Sequence, residues 1–351
     1  QYLSTEIKTL LSNILSLSFL QASNYVLPLI TFPYLVRVLG PEYFGLLAFA
    51  TATVSYFMLI TDYGFNLSAT RQISIYRHDI DKINEIFSSV IIIKLTLMIL
   101  SFLSMALLVF TFEKFSEHWE IYFITFTIIF GQVLFPVWLF QGMEQMRYIT
   151  YVQIASKVFF IIAIFIFVDE KEDYLFVPLM TALGGLFSGL WSLKIAKKLF
   201  RVSFNFQPFD KIKFQLIEGW YLFFSSISIS LYTTSISFVL GIFSNNTAVG
   251  QFSAARTIIQ AIKGLYIPIS KALYPLASKR IENNKIEGLK FVLKISKFYI
   301  FAIFILSSLT FFLAEEIVLL ILGDQYYQSI ILLKVMAFLP LLLAIGDTLS
   351  V

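Results

Sequence analysis

Residues 10–36, LLSNILSLSFLQASNYVLPLITFPYLV, decide the fold of this chain. The segment contains 27 residues without a charged side chain, and a helix needs about 20 apolar residues to cross a bilayer. Its polar side chains Gln21, Asn24 and Thr31 recur at spacings that place them on one face of a helix. The run is too long for the apolar region of a signal peptide. It therefore predicts a first membrane-spanning helix with one polar face.

Apolar runs of this kind recur along the whole chain and predict ten membrane-spanning helices. Their predicted bounds are residues 10–36, 43–68, 86–111, 119–142, 148–168, 174–195, 219–243, 250–276, 291–313 and 328–350. The chain is 58% hydrophobic and 14% charged, whereas soluble domains are about 25% charged. In lipid a helix pairs its own backbone polar groups, so the spans are expected to be helical. The predicted fold class is an all-α polytopic membrane protein.

The rare reactive residue types narrow the possible chemistry. The chain contains no Cys, and its two His residues, His78 and His118, fall in predicted loops. This composition excludes disulfides, thiol catalysis and cysteine metal sites. The sequence also lacks the glycine-rich loops that bind nucleotide phosphates. We expect a protein that is not an enzyme and that uses no cofactor, no metal and no nucleic acid.

The distribution of Lys and Arg predicts the orientation in the membrane. With the N-terminus in the cytoplasm, the outer segments contain only Arg37, Lys114 and Lys171, and all other loop cations lie inside. Cytoplasmic loops of membrane proteins carry this excess of Lys and Arg. We therefore expect a multi-pass membrane protein with a cytoplasmic N-terminus.

A weak internal repeat predicts two halves. Val38-Leu39-Gly40, followed by Gly45, matches Val239-Leu240-Gly241, followed by Gly250, about 200 residues later. Parallel repeats of this kind build many transporters. The expected domains are a six-helix bundle over residues 1–195, a basic cytoplasmic linker over 196–218 and an incomplete bundle of four helices over 219–351. Two further helices are expected beyond residue 351.

Four segments in order resemble motifs of the Wzx-type O-antigen flippases, the polysaccharide transporter branch of the MATE-like superfamily. They are PYLVRVLGPEYFG at 33–45, DYGFNLSATR at 62–71, FPVWLFQGME at 135–144 and the segment 250–279. The resemblance implies a MATE-like fold of two six-helix bundles, a central cavity lined by helices 1, 2, 7 and 8, and alternating access. It implies as substrate an undecaprenyl-pyrophosphate-linked oligosaccharide, moved from the cytoplasmic to the periplasmic leaflet. It also implies an O-antigen polymerase and a chain-length regulator as partners, besides the lipid bilayer.

The eighth predicted span carries the strongest site signal. Gln260 and Lys263 lie within about 40° of Arg256 around the helix axis, and Lys271 lies about 60° from Arg256. Prolines 268 and 275 are expected to interrupt this helix, as in the broken helices that form transporter sites. Charges within a span usually face a cavity, so this stripe is predicted to bind the pyrophosphate. The alternative is that these cations pair with buried acids, or reach the membrane surface as Lys271 is expected to do.

Polar residues on three other helices complete the predicted site. Ser226, Ser230, Thr233 and Ser237 are spaced along one face of the seventh span. They predict either sugar contacts or close helix packing, and Asn24 and Thr31 on the first span favour sugar contacts. Arg37 and Arg71 are further substrate-binding candidates, although Arg37 can also form a gate pair or a plain surface pair with Glu42.

Asp62 is the acidic candidate within the predicted spans. A structural ion pair with Arg71 or with a cation of the eighth span is the favoured interpretation, because charges inside membranes commonly pair. The alternative is binding of a coupling proton or sodium ion. Gly64 is expected to bend this helix. Lys94 and Lys157 are predicted to extend their ammonium groups to the membrane surface.

Three other functions compete with the flippase. A lipid II flippase shares the fold and the cationic cavity. A cation-coupled drug exporter is disfavoured, because cationic drugs call for acids in the cavity rather than Arg and Lys. A membrane O-antigen polymerase or glycosyltransferase is disfavoured because the predicted outer loops are too short to hold a catalytic insertion.

Overall fold

A computed structural model describes residues 2–349, with side chains for all of them except 2–11, 14, 25, 232, 267–279, 283 and 347–349. The described residues form helices and connecting turns, without a strand. The α-helices are α1 (Tyr2–Asp62), α2 (Phe65–Ile75), α3 (Ile80–Thr111), α4 (Glu113–Ser116), α5 (Trp119–Leu134), α6 (Val137–Gly142), α7 (Met146–Phe167), α8 (Phe176–Phe200), α9 (Phe209–Thr233), α10 (Ser235–Phe243), α11 (Asn246–Asn283), α12 (Lys285–Phe312), α13 (Ala314–Ile321), α14 (Ser329–Met336) and α15 (Leu339–Leu349).

Most of these helices are suited to cross a membrane. Among the described residues, seven helical segments are long and apolar enough, or eight if the bent pair α9 and α10 is one span. The first segment, Leu15–Ile75, contains two predicted spans and is broken at Gly40, whose φ is +67°. Helix α11 is outside this set, so the count of ten stays a prediction. The predicted class is confirmed: the chain is an all-α, multi-pass membrane protein.

The break after Asp62 confirms the bend expected at Gly64. Helix α1 ends at Asp62, and α2 begins at Phe65. Gly64 between them has a φ of +76°, in the left-handed region that glycine adopts without a steric penalty. A side chain there would also meet Leu222 of α9, whose Cβ would lie 2.9 Å from the added carbon. The short turn redirects the chain directly after Asp62.

The prediction that prolines interrupt α11 is wrong, and the seventh predicted span contains a bend. Helix α11 runs from Asn246 to Asn283 without ending at either of its prolines, as membrane helices can because neighbouring groups satisfy the freed carbonyls. The seventh predicted span instead bends by 52° between α9 and α10. The Thr233 hydroxyl donates to the carbonyl of Ile229 at 2.9 Å, and such bonds from side chain to backbone often bend helices.

The contacts between Cα atoms divide the chain into two compact units. The first unit comprises residues 1–31 and 46–245, and the second comprises 32–45 and 246–351. The core of the first unit includes Phe65, Ile73 and Trp138, all fully buried. This division does not coincide with the expected boundary at 196–218, because residues 219–245 belong to the first unit. The arrangement as two six-helix bundles stays a prediction.

The core of the second unit joins a short part of α1 to α11, α13 and α14. Val36 packs in one buried cluster with Ala255, Val318 and Leu333. A buried polar contact fixes α11 to the start of α14, since the Ser329 hydroxyl lies 2.6 Å from Oε1 of Gln251. The face of α11 that packs into this core carries small and aliphatic side chains, such as Ala255 and Ile259.

Two glycines of the predicted internal repeat lie in close contact. A Cβ atom on Gly45 would lie 1.8 Å from the carbonyl oxygen of Asn246, and one on Gly250 would lie 1.8 Å from that of Pro41. Pro41 and Asn246 are 205 residues apart, as are Gly45 and Gly250. The contact is therefore reciprocal, as in an isologous interface in which equivalent residues exchange partners. Only glycine permits this approach of the two backbones.

Candidate functional site

The helices of the first unit surround a cavity that has mostly apolar walls and several polar side chains. Its volume is about 610 Å³, and α1, α2, α3, α5, α7 and α8 contribute to its wall. The polar side chains that line it are those of Thr31, Asp62, Asn66, Lys94, Gln132, Gln153, Ser156, Lys157, Thr181 and Ser188. This volume lies within the range of about 300–1,000 Å³ that is typical of small-molecule sites.

A buried ion pair forms one side of this cavity. Nζ of Lys94 lies 3.1 Å from Oδ1 of Asp62, and their side chains are 2% and 18% exposed. The turn after Asp62 brings Asn66 back toward the same carboxylate, and its Nδ2 lies 3.0 Å and 2.9 Å from the two carboxylate oxygens. A buried carboxylate requires both a counter-charge and hydrogen bonds, and Asp62 has both.

The partner of Asp62 corrects two predictions. Arg71 does not pair with Asp62 but lies 3.8 Å from Glu218, with 72% of its own side chain exposed. Lys94 does not reach the membrane surface, because it lies 14 residues into α3, about 21 Å from the start of that helix. The predicted span began at residue 86, which placed this lysine too close to an end. The sequence predicted a structural ion pair for Asp62, but it did not predict Lys94 as the partner.

Lys157 is the second cation of the cavity, and its predicted position is also wrong. It lies 11 residues after Met146 and 10 before Phe167, about 15 Å from either end of α7. Its ammonium donates a hydrogen bond to Oδ1 of Asn24. Among the described residues, no carboxylate lies within 4 Å of it. The structure thus places Asn24 in contact with a half-buried lysine that sequence reasoning assigned to the membrane surface.

Thr31 is buried and belongs to the wall of the same cavity. Its hydroxyl lies 3.4 Å from the carbonyl oxygen of Pro28, one turn earlier in α1. Thr31 and Asp62 are therefore the predicted site residues that the structure brings together in one cavity. Lys94 and Lys157 were missed as site residues. The signal that could have identified them is a lysine near the centre of an apolar run, where no membrane surface is within reach.

The predicted stripe on α11 lies in the second unit. Arg256 and Lys263 are half-buried and Gln260 is exposed, whereas Ala255 and Ile259 belong to the core. The stripe therefore lies on a face of α11 turned away from the core of its own unit. Two cations two turns apart, about 10 Å along the helix, can contact an extended anion. The side chain of Lys271 lies outside the described residues, and the role of the stripe stays a prediction.

The remaining predicted site residues are dispersed. Ser230 and Thr233 are half-buried on α9, and the buried Ser237 follows the bend, so the four hydroxyls do not share one straight helix face. The guanidinium of Arg37 donates to the carbonyl oxygens of Leu320 and Ile321 at the end of α13. Neither predicted pair with Glu42 forms among the described residues. Arg37 thus caps a helix, since those last carbonyls lack partners within the helix.

Comparison with known proteins gives the family of the chain. Residues 10–281 match the family described as polysaccharide biosynthesis protein. The chain belongs to that family. It is 34% identical over 346 residues to a protein of Escherichia coli strain K12 named "Putative O-antigen transporter", covering 98% of this chain and 83% of that protein. A protein of Shigella dysenteriae with the same name is 31% identical over 344 residues, covering 96% of this chain and 84% of that protein. No solved structure matches the chain.

Membership of the polysaccharide biosynthesis family confirms the resemblance to Wzx-type flippases. The matched region includes all four quoted motifs. It also includes both polar regions, the cavity of the first unit and the stripe on α11. Each of these two regions contains cations far from a helix end, in apolar surroundings. Such cations can bind an anion.

Proposed function

We propose that this chain transports a lipid-linked O-antigen-type oligosaccharide across the bacterial inner membrane. The observation that carries the proposal is its similarity, over nearly the whole chain, to two proteins named as O-antigen transporters. The proposed cargo is an undecaprenyl-pyrophosphate-linked repeat unit, moved from the cytoplasmic to the periplasmic leaflet by alternating access. An O-antigen polymerase and a chain-length regulator are proposed to act on the product.

The positions of the cations support an anionic cargo. A charge at the centre of a membrane helix costs about 2.5–3.5 kcal/mol on insertion scales, so cations persist there when they have a role. Arg256 and Lys263 are proposed to hold the pyrophosphate, since the guanidinium fork of Arg suits phosphate and Lys supplies a point charge. Gln260 belongs to the same stripe, and Ser230 and Thr233 are proposed to contact the sugars. Asp62 is the candidate for ion coupling, besides its role in the pair with Lys94.

A lipid II flippase is the second candidate, because a cationic interior suits either lipid pyrophosphate. Deleting the gene in its own host separates the candidates. We expect viable cells that lack surface polysaccharide on a silver-stained gel and accumulate the lipid-linked repeat unit in extracted membranes. The wild-type gene on a plasmid should restore both. Lysis of the deletion strain would favour lipid II, and hypersensitivity to cationic drugs with normal surface polysaccharide would favour drug export.

The proposed orientation has a direct test. Reporter fusions after Lys82, Arg147, Phe209 and Asn283 are expected to be active in the cytoplasm, and fusions after Ser116, Lys171 and Asn245 in the periplasm. The reason is the excess of Lys and Arg in the first group of loops. Paired alkaline phosphatase and green fluorescent protein fusions at each site measure this. A periplasmic signal at Phe209 would reverse the assignment, because the surrounding loop 196–218 is strongly basic.

A further inference from the structure

Two polar groups in the cavity of the first unit lack a full set of hydrogen-bond or charge partners among the described residues. Oε1 of Gln132 is buried and has no hydrogen-bond partner among the residues that the structure describes. The ammonium of Lys157 contacts the amide oxygen of Asn24, and no carboxylate of the described part of the chain lies within 4 Å of it. A buried acceptor without a donor costs about 1–3 kcal/mol, and an uncompensated charge costs more. Both groups line the same cavity, so one ligand can satisfy both.

The charges of the cavity specify an anion of low charge. Asp62 and Lys94 neutralise each other as an ion pair. Lys157 then leaves the lining residues with one uncompensated positive charge. Its position near the centre of α7 keeps it away from the counter-ions of the membrane surface. A ligand with a single negative charge balances the cavity.

We propose that this cavity is a subsite for one acidic sugar residue of the transported glycan, an inference that rests on the proposed function. The sugar carboxylate accepts a hydrogen bond from Nζ of Lys157, and a sugar hydroxyl donates to Oε1 of Gln132. Gln153 supplies a further amide, and Phe135 and Phe160 form apolar walls. A cavity with mostly apolar walls and a few convergent polar groups is the usual form of a small-ligand site.

The geometry favours a sugar carboxylate over the lipid diphosphate, which shares its oxyanion chemistry. An ionised diphosphate offers acceptors only, so Gln132 Oε1 would remain unsatisfied, whereas a sugar hydroxyl is a donor. A diphosphate also carries more negative charge than the one excess cation of the cavity balances. The stripe on α11 retains the proposed role of holding the diphosphate.

Binding to the purified full-length chain in lipid nanodiscs tests the subsite. The probes are methyl glucuronide, neutral methyl glucoside and farnesyl pyrophosphate, followed by saturation-transfer NMR. We expect methyl glucuronide to bind at least tenfold more tightly than methyl glucoside. Lys157→Gln should weaken glucuronide binding at least tenfold by removing a charge-assisted hydrogen bond, and Lys157→Arg should stay within about threefold of wild type.

Matched variants separate binding from folding. Lys171→Gln makes the same change at a lysine that is 62% exposed outside the cavity, and should leave binding unchanged. Gln132→Leu removes the unmatched acceptor without altering charge, and should weaken both the glucuronide and the glucoside. Gel filtration in detergent verifies that each variant is folded. If Lys157→Gln does not fold, two other comparisons test the subsite: the affinity of Gln132→Leu against that of wild type, and the affinity of wild type for the two sugars.

Three results would overturn the subsite: no saturable binding of methyl glucuronide to wild type, equal affinity for both sugars, or unchanged affinity in Lys157→Gln. Tighter binding of farnesyl pyrophosphate that displaces the glucuronide and depends on Lys157 would assign the cavity to the lipid diphosphate instead. The gene deletion described above tests transport independently. Normal surface polysaccharide in the deletion strain together with glucuronide binding would reject the transport function and keep the sugar site.

Discussion

Arg256→Ala is expected to abolish surface polysaccharide in cells that depend on this chain for transport. The guanidinium belongs to the stripe on α11 that is turned away from the core of the second unit. Its loss removes a proposed ligand of the pyrophosphate without opening a cavity in that core. Arg256→Lys should restore part of the signal, because Lys keeps the charge and loses the bidentate fork. Lys263→Ala should reduce the signal less than Arg256→Ala, because an ammonium group lacks the bidentate fork by which a guanidinium binds phosphate.

The measurement is surface polysaccharide on a silver-stained gel, with the membrane abundance of each variant determined by immunoblot. Arg147→Ala, at an exposed arginine at the start of α7, is the matched control and should retain the wild-type amount. Wild-type surface polysaccharide from the double variant Arg256→Ala/Lys263→Ala at normal abundance would show that the stripe does not contact the substrate.

Asp62→Ala is expected to deplete the folded protein severely. The substitution leaves the ammonium of Lys94, 2% exposed, without its counter-charge. Breaking a buried pair by removing one partner typically costs about 3–5 kcal/mol, because an uncompensated charge stays buried. Membrane abundance and the midpoint of thermal unfolding, followed by gel filtration of a fluorescent fusion in detergent, measure the loss.

Asp62→Leu/Lys94→Met provides the matched control for this ion pair. Replacing both partners by apolar side chains leaves no buried charge, and such replacements are often neutral or stabilising. We therefore expect the double variant to recover the abundance that Asp62→Ala loses. An unfolding midpoint of Asp62→Ala equal to that of wild type would refute the structural role of the pair. Asp62→Asn at normal abundance but without surface polysaccharide would favour ion coupling instead.

The class and family of the chain followed from local features of its sequence. Uninterrupted apolar runs such as residues 10–36 require a membrane whatever their partners, since transfer into lipid is a property of each segment alone. The bend at Gly64 was likewise local, because it depends on the backbone freedom of one residue. The quoted motifs were also read without tertiary information, and the family match confirmed them.

The partners of the buried charges were decided only by the tertiary structure. Asp62 pairs with Lys94, 32 residues away on another helix, and Lys157 contacts Asn24 across 133 residues. Helical periodicity shows which residues of one helix share a face, but not which face of another helix packs against it. The two lysines lie far from the ends of α3 and α7, so their side chains reach the cavity and not the membrane surface. Sequence alone thus determined that the chain spans the membrane and belongs to this family, and helix packing decided which of its charges meet.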